Sequence, residues 1–237
     1  MLSILPIDTG RYGTKEMLDI FREQKKIDYQ LDIEAAAALS QSEIGLIPIS
    51  IARDISKIAK SGKITAKRIK QLEAKSDHDT AALVEALAEK CNKESRPWIH
   101  YGLTSNDLVD TSNSMQMRDA IKIIQPKVSK LSLILAKNAV KHKSVPAVGR
   151  THGQHASIIS FGLKFANWAA EMSTHLERLD EIKKRVLICK TLGVVGTGSL
   201  MGKNAVKVQE RVAKKLGLYS AKAVSYTHLT LPTTPYV

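Results

Sequence analysis

The stretch from Ile158 to Lys190 constrains the fold more than any other part of this sequence. Its large apolar side chains recur at intervals of three and four residues, the spacing of one face of an α-helix. They are Phe165, Trp168, Met172, Leu176, Leu179, Ile182 and Val186. One helix over this stretch would be roughly 45–50 Å long at about 1.5 Å per residue. Because few competing β-strand patterns accompany it, such a helix predicts an elongated helical bundle.

Most of the remaining sequence also shows helical patterns. Hydrophobic residues make up 43% of the 237 residues and aromatic residues only 5%, a balance that suits helices packed through aliphatic side chains. Further helices are predicted over residues 14–45, 49–60, 65–75, 112–143 and 203–217. Pro126 should bend or interrupt the fourth of these helices, and residues 144–157 are predicted to form a loop. The sequence therefore predicts an all-α fold.

Two domains and a foreign tail are predicted along the chain. Residues 1–111 should form an N-terminal helical domain, and residues 112–223 should form the first part of a truncated central bundle of long helices. Residues 224–237 contain no Lys, Arg, Asp or Glu, although the preceding chain is highly charged. This last segment resembles translated adapter sequence from a sequencing library, so we predict that it is a non-native, disordered tail.

The net charge of +13 leaves two interpretations open. The basic residues are spread along the predicted helices, which is typical of solvated helix faces. An anionic partner, either nucleic acid or a small polyanionic substrate, would also explain the excess. No interleaving of aromatic and basic residues and no known binding motif favours nucleic acid.

The sequence gives no sign of export or of membrane insertion. Asp8, Arg11 and Lys15 interrupt any early apolar run, and no stretch is long and apolar enough to span a bilayer. Cys91 and Cys189 each stand alone in a helical pattern and are expected to be buried, reduced thiols. We therefore expect a soluble cytoplasmic protein that does not act on membranes.

The segment from Gly149 to His155 combines one cation, one hydroxyl, one amide and two imidazoles in seven residues. Its two glycines permit backbone conformations that are closed to other residues. The imidazoles of His152 and His155 can donate or accept protons near neutral pH. Taken alone, such a histidine pair is as often structural as catalytic.

Three more polar clusters accompany this segment. The run from Gly102 to Thr111 places hydroxyls beside a helix start, where they could cradle a carboxylate or phosphate. Simple capping of that helix by Ser105 or Asn106 is the other interpretation. Arg11 and Tyr12 lie in an irregular N-terminal arm, where an Arg can bind phosphate in bidentate fashion or remain solvated.

The third cluster is Asp77-His78-Asp79, in which a carboxylate could orient the imidazole. Ser76 and Asp79 have the spacing of a capping box. That motif would place His78 in the first turn of a helix whose apolar pattern begins at Leu83.

Together, the four clusters occur in the order and approximate spacing of the adenylosuccinate lyases, a family of the fumarase/aspartase superfamily that the sequence resembles over about residues 1–223. The segment from Lys190 to Thr197 resembles a further shared segment of that superfamily. The resemblance implies a non-hydrolytic elimination. Adenylosuccinate would give AMP and fumarate, and the related carboxamide ribotide intermediate of purine synthesis would give its own product and fumarate.

The resemblance also implies roles for individual residues. His152 corresponds to the general acid, and His78 to a histidine that binds substrate and helps to hold the acid; His155 would pack against or support His152. Arg11 and Tyr12 correspond to residues that grip the nucleotide phosphate. The other expected substrate-binding residues are Thr104 and Ser105 for a carboxylate, with Thr151, Gln154, Asp77 and Asp79 as neighbours. The family usually has Arg or His at the position of Asp77, so this position departs from its pattern.

The resemblance further implies a homotetramer whose active sites combine residues from different subunits, acting on a small anionic nucleotide without a metal or other cofactor. The family's general base lies on a serine-rich loop beyond the last residue of this sequence, so the 237-residue chain should be inactive alone. Two alternatives remain: another lyase of the superfamily, acting on argininosuccinate, malate or aspartate, and a basic helical scaffold for nucleic acid. Arg11 and Tyr12 argue against the first, since those substrates carry no phosphate.

Overall fold

The computed structural model describes residues 12–222, which divide into two compact units. Within the described residues, the first unit comprises 12–118 and 186–222, and the second is Asp119–Arg185. Residues 186–222 thus belong to the same unit as the N-terminal part, although they follow the second unit along the chain. Arg11 and the predicted tail 224–237 lie outside the described residues.

The predicted all-α class is confirmed, because the strands of the described residues form only two small two-stranded sheets. The helices are α1 (Lys15–Phe21), α2 (Glu23–Ser42), α3 (Ile49–Ala59), α4 (Ala66–Ser76), α5 (Asp79–Lys90), α6 (Ser105–Lys141), α7 (Phe161–Val186) and α8 (Ala205–Leu216). The strands are β1 (Pro146–Thr151), β2 (Gln154–Ser160), β3 (Ile188–Cys189) and β4 (Tyr219–Ser220). Short 3-10 helices cover Arg96–Trp98 and Ser199–Asn204.

Helix α2 lies at the centre of the first unit. Most of its residues from Ile27 to Gln41 are buried, on all sides of the helix. Four consecutive alanines, Ala35 to Ala38, leave room for neighbouring helices to approach closely. Helices α3 and α8 pack against α2, so residues far apart in the sequence share this core.

The single helix predicted over residues 14–45 is wrong in one respect. Arg22 has extended backbone angles (φ −62°, ψ 144°) and separates α1 from α2. The predicted cap at Thr14 is confirmed, since its hydroxyl accepts a hydrogen bond from the Met17 N–H at 3.4 Å. The helices predicted over 49–60, 65–75 and 203–217 are also confirmed, with ends that differ by one or two residues.

Helix α6 begins earlier and is more continuous than the sequence suggests. It starts at Ser105 rather than Ser112 and continues through Pro126 to Lys141. A proline inside a helix removes one backbone hydrogen bond, and the rest of this 37-residue helix remains in place around it.

The second unit contains the hairpin β1–β2, where the sequence predicted a loop over 144–157. That prediction is wrong, and the long helix predicted from Ile158 begins only at Phe161 and ends at Val186. The hairpin pairs Pro146 with Ser160 at its open end, and a bulge between Gly149 and Arg150 shifts its register. A side chain at Gly149 would crowd the opposite strand, because a Cβ there would lie 3.2 Å from the carbonyl oxygen of Ser157.

The structure also bears on the predictions about the two cysteines and about membrane-spanning helices. Cys91 and Cys189 are buried free thiols, as predicted, and burial raises the pKa of each to about 12. No helix within residues 12–222 combines the length and apolar character needed to cross a membrane.

Candidate functional site

His152 lies at the tip of the hairpin in a backbone conformation that residues other than glycine rarely adopt. His152 (φ 49°) and Gly153 (φ 74°) are the two residues between β1 and β2. Hairpin turns of two residues with positive φ at both are normally formed by Asn-Gly or Asp-Gly. A histidine in such a position costs on the order of 1 kcal/mol, and conformations of this kind concentrate at functional sites. The strained turn therefore marks His152 as a candidate functional residue.

The same hairpin fixes the second imidazole of the segment. Arg150 and His155 are partners across the two strands, and the Arg150 guanidinium donates to His155 Nε2 at 3.2 Å. Because a guanidinium can only donate, Nε2 must be the acceptor, and the ring proton is assigned to Nδ1. Thr151 and Gln154 form the last pair before the turn. His155 thus contacts Arg150 across the hairpin, while His152 is exposed at the tip.

His78, in the first unit, lies before helix α5 rather than inside it. Ser76 is the last residue of α4, so the predicted capping box is wrong. His78 is itself the N-cap of α5, and its Nδ1 accepts a hydrogen bond from the Ala81 N–H at 3.3 Å. A neutral imidazole has one ring nitrogen that accepts a hydrogen bond, so a histidine can replace the usual Ser or Asp at this position.

This cap determines which atom of the His78 ring is available for other partners. With Nδ1 occupied as an acceptor, the ring proton is assigned to Nε2, which lies 3.4 Å from Ser105 Oγ. Asp79 Oδ1 is 3.6 Å from Nδ1, but it already accepts from the Thr80 N–H at 2.6 Å. Backbone capping, not the Asp79 carboxylate, therefore orients the imidazole.

Asp77 ends helix α4 in a left-handed conformation. Its φ is 50°, and its N–H donates to the Glu73 carbonyl at 2.8 Å. Short polar side chains such as Asp tolerate this conformation better than most residues. An Asp at this position thus suits the backbone conformation, and the Asp77 side chain is exposed.

The start of helix α6 places Ser105 next to His78, and Thr104 directly precedes Ser105. The capping interaction comes from Asp107, whose Oδ2 accepts from the Thr104 N–H at 3.1 Å, so the predicted cap by Ser105 or Asn106 is wrong. The same oxygen accepts from the Gly193 N–H at 2.9 Å, and Asp107 is fully buried. This carboxylate ties the Thr104–Ser105 segment to the glycine-containing loop that follows β3.

A largely buried pair that the sequence did not reveal joins Glu34 on α2 to His100. His100 has a positive φ of 62°, and its N–H donates to Glu34 Oε2 at 2.9 Å. Its Nδ1 lies 2.6 Å from Glu34 Oε1, and the Glu34 side chain is only 2% exposed. Burial lowers the pKa of His100, but the hydrogen bond and charge of Glu34, together with the charge of Asp107, outweigh it and raise that pKa.

The structure therefore brings the expected residues together in two groups. His78 and Ser105 lie side by side in the first unit, and Thr104 directly precedes Ser105. Thr151, His152 and Gln154 surround the hairpin turn of the second unit. Tyr12 is 71% exposed at the edge of the described residues. Within residues 12–222, no group of three or more His, Cys, Asp or Glu side chains could hold a metal ion.

Comparison with known proteins defines the class to which the chain belongs. It is a member of the lyase family, whose sequence model, described as "Lyase", matches residues 10–234. Among solved structures it resembles a fumarate lyase from Mesorhizobium sp. BNC1, with a TM-score of 0.83 and 30% sequence identity. That similarity covers 90% of this chain and 51% of the solved one.

Two similar curated proteins narrow the comparison to one kind of lyase. The chain is 45% identical to the adenylosuccinate lyase of Methanocaldococcus jannaschii over 217 residues, which cover 92% of this chain and 47% of the relative. It is 40% identical to the adenylosuccinate lyase of Methanothermobacter thermautotrophicus over 217 residues, covering 92% of this chain and 48% of the relative. The chain thus spans about half the length of the curated relatives it matches.

Proposed function

We propose that this chain is part of an adenylosuccinate lyase that eliminates fumarate from adenylosuccinate and from the related carboxamide ribotide of purine synthesis. The observation that carries the proposal is the exposed imidazole of His152, presented by a strained two-residue turn. The 45% identity to an adenylosuccinate lyase supports the choice of substrate. The enzyme would act in the cytoplasm on small anionic nucleotides, without nucleic acid, a membrane or a cofactor.

The reaction requires a base, an acid and donors for the developing charge. A base removes a proton from the carbon next to the one that bears the leaving nitrogen, the C–N bond breaks, and the nitrogen leaves as it is protonated. Protonated His152 would supply that proton. Hydroxyl donors such as Thr104 and Ser105 would bind a carboxylate of the succinyl group as negative charge builds up on it. No residue of this chain is assigned as the base, so the 237-residue chain should not turn over alone.

The second unit supports the further proposal that the enzyme is a homotetramer with shared active sites. Gly162 is the only buried residue of Asp119–Arg185. Helix α6 beyond Gln116 and helix α7 instead expose large apolar side chains, including Leu131, Leu133, Ile134, Leu163 and Trp168. Exposed apolar surface on this scale marks a surface of association. Other copies of the chain would cover these faces, and residues from different copies would complete each site.

Mixing two defective variants of the full-length protein tests both the acid and the shared sites. His152→Ala should abolish fumarate release, because the leaving nitrogen loses its proton donor, and His78→Ala should impair it through substrate binding. If each site combines residues from different subunits, unfolding the two variants together and refolding them should restore part of the activity. The measurement is the ultraviolet absorbance of fumarate.

A variant at the partly exposed His175, on α7, is the matched control and should keep full activity. Near-normal turnover by His152→Ala would overturn the assignment of the acid. Robust turnover by the 237-residue chain alone would overturn the proposed absence of the base. A mixture no more active than its parents would overturn the shared site.

A further inference from the structure

We propose that the first unit holds a second ligand site, a basic cavity that binds a phosphorylated metabolite of mononucleotide size. The basic cavity lies between α2, the end of α3, α6 and the end of α8, and its volume is about 460 Å³. That volume falls within the range of small-molecule sites, about 300–1,000 Å³. None of the described residues assigned to the elimination reaction lines it, so this inference goes beyond the proposed function and does not depend on it.

The charged lining favours an anion. Among the described residues, the charged side chains that line the basic cavity are those of Lys60, Arg118, Lys215 and Asp32. Lys215 also forms an ion pair with Glu43 at 2.6 Å, and the Arg118 guanidinium donates to the Leu216 carbonyl. These contacts hold the two cations in place.

Lys60 is the cation best placed to receive a ligand. It follows the last residue of α3 and is exposed. Within residues 12–222 its side chain forms no hydrogen bond or ion pair, and its charge acts on Asp32 only from a distance. A phosphate bound between Lys60 and the other cations would gain several charge-assisted hydrogen bonds.

Asp32 adds a hydrogen-bond acceptor to a lining whose other charged groups are cations. It is half-buried on α2, and burial raises the pKa of its carboxyl although Lys60 and Lys25 act in the opposite direction. A partly desolvated carboxyl group suits a neutral hydrogen-bonding partner, such as a sugar hydroxyl. Asp32 therefore extends the recognition from a bare anion to a phosphate ester that carries hydroxyl groups.

The apolar part of the lining indicates what the rest of the ligand should be like. Ala36 and Leu39 on α2, with Met115 and Leu216, form this apolar part. Mixed linings of this kind bind a ligand with an apolar or aromatic body and a few polar groups that fix its orientation. A nucleoside monophosphate combines these features.

The alternative is that the cations only stabilise helix ends. Lys60 and Lys215 lie at the C-terminal ends of α3 and α8, where positive charge offsets the helix dipole. That role predicts a loss of stability when Lys60 is replaced, with no effect on any ligand. The two interpretations therefore differ in a binding measurement.

The test is nuclear magnetic resonance of the 237-residue chain labelled at its methionine methyl groups. Met115 reports on the basic cavity, and Met172, in the second unit, is the internal control. AMP should shift the Met115 signal in a saturable way and leave Met172 unchanged. Inorganic phosphate should bind more weakly at the same place, and adenosine should not shift Met115. No shift of Met115 with AMP, or an equal shift with adenosine, would overturn the proposal.

Matched variants then separate the site from general electrostatics and from the proposed active site. Lys60→Gln should weaken AMP binding at Met115 by about tenfold or more, since it removes a charged hydrogen bond. Lys57→Gln removes the same charge from α3 outside the cavity lining and should leave binding unchanged. His78→Ala should also leave the Met115 response intact. Equal weakening by both lysine variants, or loss of the response in His78→Ala, would contradict a separate site.

Discussion

The two units of this chain differ most in what they bury. All of the buried hydrophobic side chains of the described residues belong to the first unit, from Ile20 to Met115 and from Leu187 to Leu218. In the second unit only Gly162 is buried, although both long helices pass through it. Since burial of apolar surface is the main source of folding free energy, the first unit carries its own stability. Within the described residues, the second unit buries little apolar surface of its own.

The largest expected effect comes from removing a core leucine. Leu87 on α5 is fully buried in the first unit, whereas Leu133 on α6 is 56% exposed in the second. Leu87→Ala should lower the free energy of unfolding of the chain by about 3 kcal/mol, because it leaves a cavity. Leu133→Ala should change it by less than about 0.5 kcal/mol. Urea denaturation measures both, and equal losses would contradict the contrast between the units.

An intermediate effect is expected at the buried pair Glu34–His100. Glu34→Gln should destabilise the chain by about 2 kcal/mol at pH 6, because it removes a hydrogen bond to a charged imidazole. The exposed Glu43 is the matched control, and Glu43→Gln should cost less than about 1 kcal/mol. Equal losses from the two substitutions would argue against a special role for the buried pair.

The same pair should make stability depend on pH. The pKa of His100 is raised in the folded chain, so its contribution is complete below the unfolded pKa of about 6.5 and is lost as pH rises through the folded value. Urea denaturation across this interval should show that loss in the parent chain. Glu34→Gln should flatten it, and an unchanged slope would exclude His100 as its source.

The smallest effect is expected at the hairpin tip of the second unit. His152→Asn should stabilise the chain by up to about 1 kcal/mol, because Asn adopts positive φ more readily than His in a two-residue turn. His155→Asn, in an extended strand of the same hairpin, is the control and should not stabilise. Thermal unfolding followed by circular dichroism compares them. A destabilised His152→Asn variant would show that the turn is not strained by its histidine.

Helical periodicity was sufficient to predict the helices whose one face is apolar and whose ends are marked locally. Helices α3, α4 and α8 follow that description, and Thr14 was identified as a cap because capping uses neighbours in sequence. The start of α6 was missed because its capping carboxylate, Asp107, is followed by further hydroxyls that fit the same pattern. Local signals thus predict helices well but choose poorly between adjacent capping residues.

The hairpin and the buried pair could not be predicted from neighbouring residues in the sequence, for two different reasons. The segments of β1 and β2 do not alternate apolar and polar residues, and the connection is His-Gly instead of Asn-Gly. Glu34 and His100 are 66 positions apart, and a Glu beside four alanines looks like part of an ordinary helix. The four clusters that indicated the family were readable because each is contiguous in the sequence.

The carboxylate of Asp107 also has a bearing on how the chain is made. It holds the Thr104 N–H and the Gly193 N–H at once, and these two partners are separated by the whole second unit. During synthesis on a ribosome, the first of these contacts can form long before residue 193 has been added. A ribosome must therefore translate the hairpin and both long helices before the hydrogen bond from Gly193 to Asp107 can form. In a nascent chain stopped within α7, the Gly193 N–H would not yet be present to donate to this carboxylate.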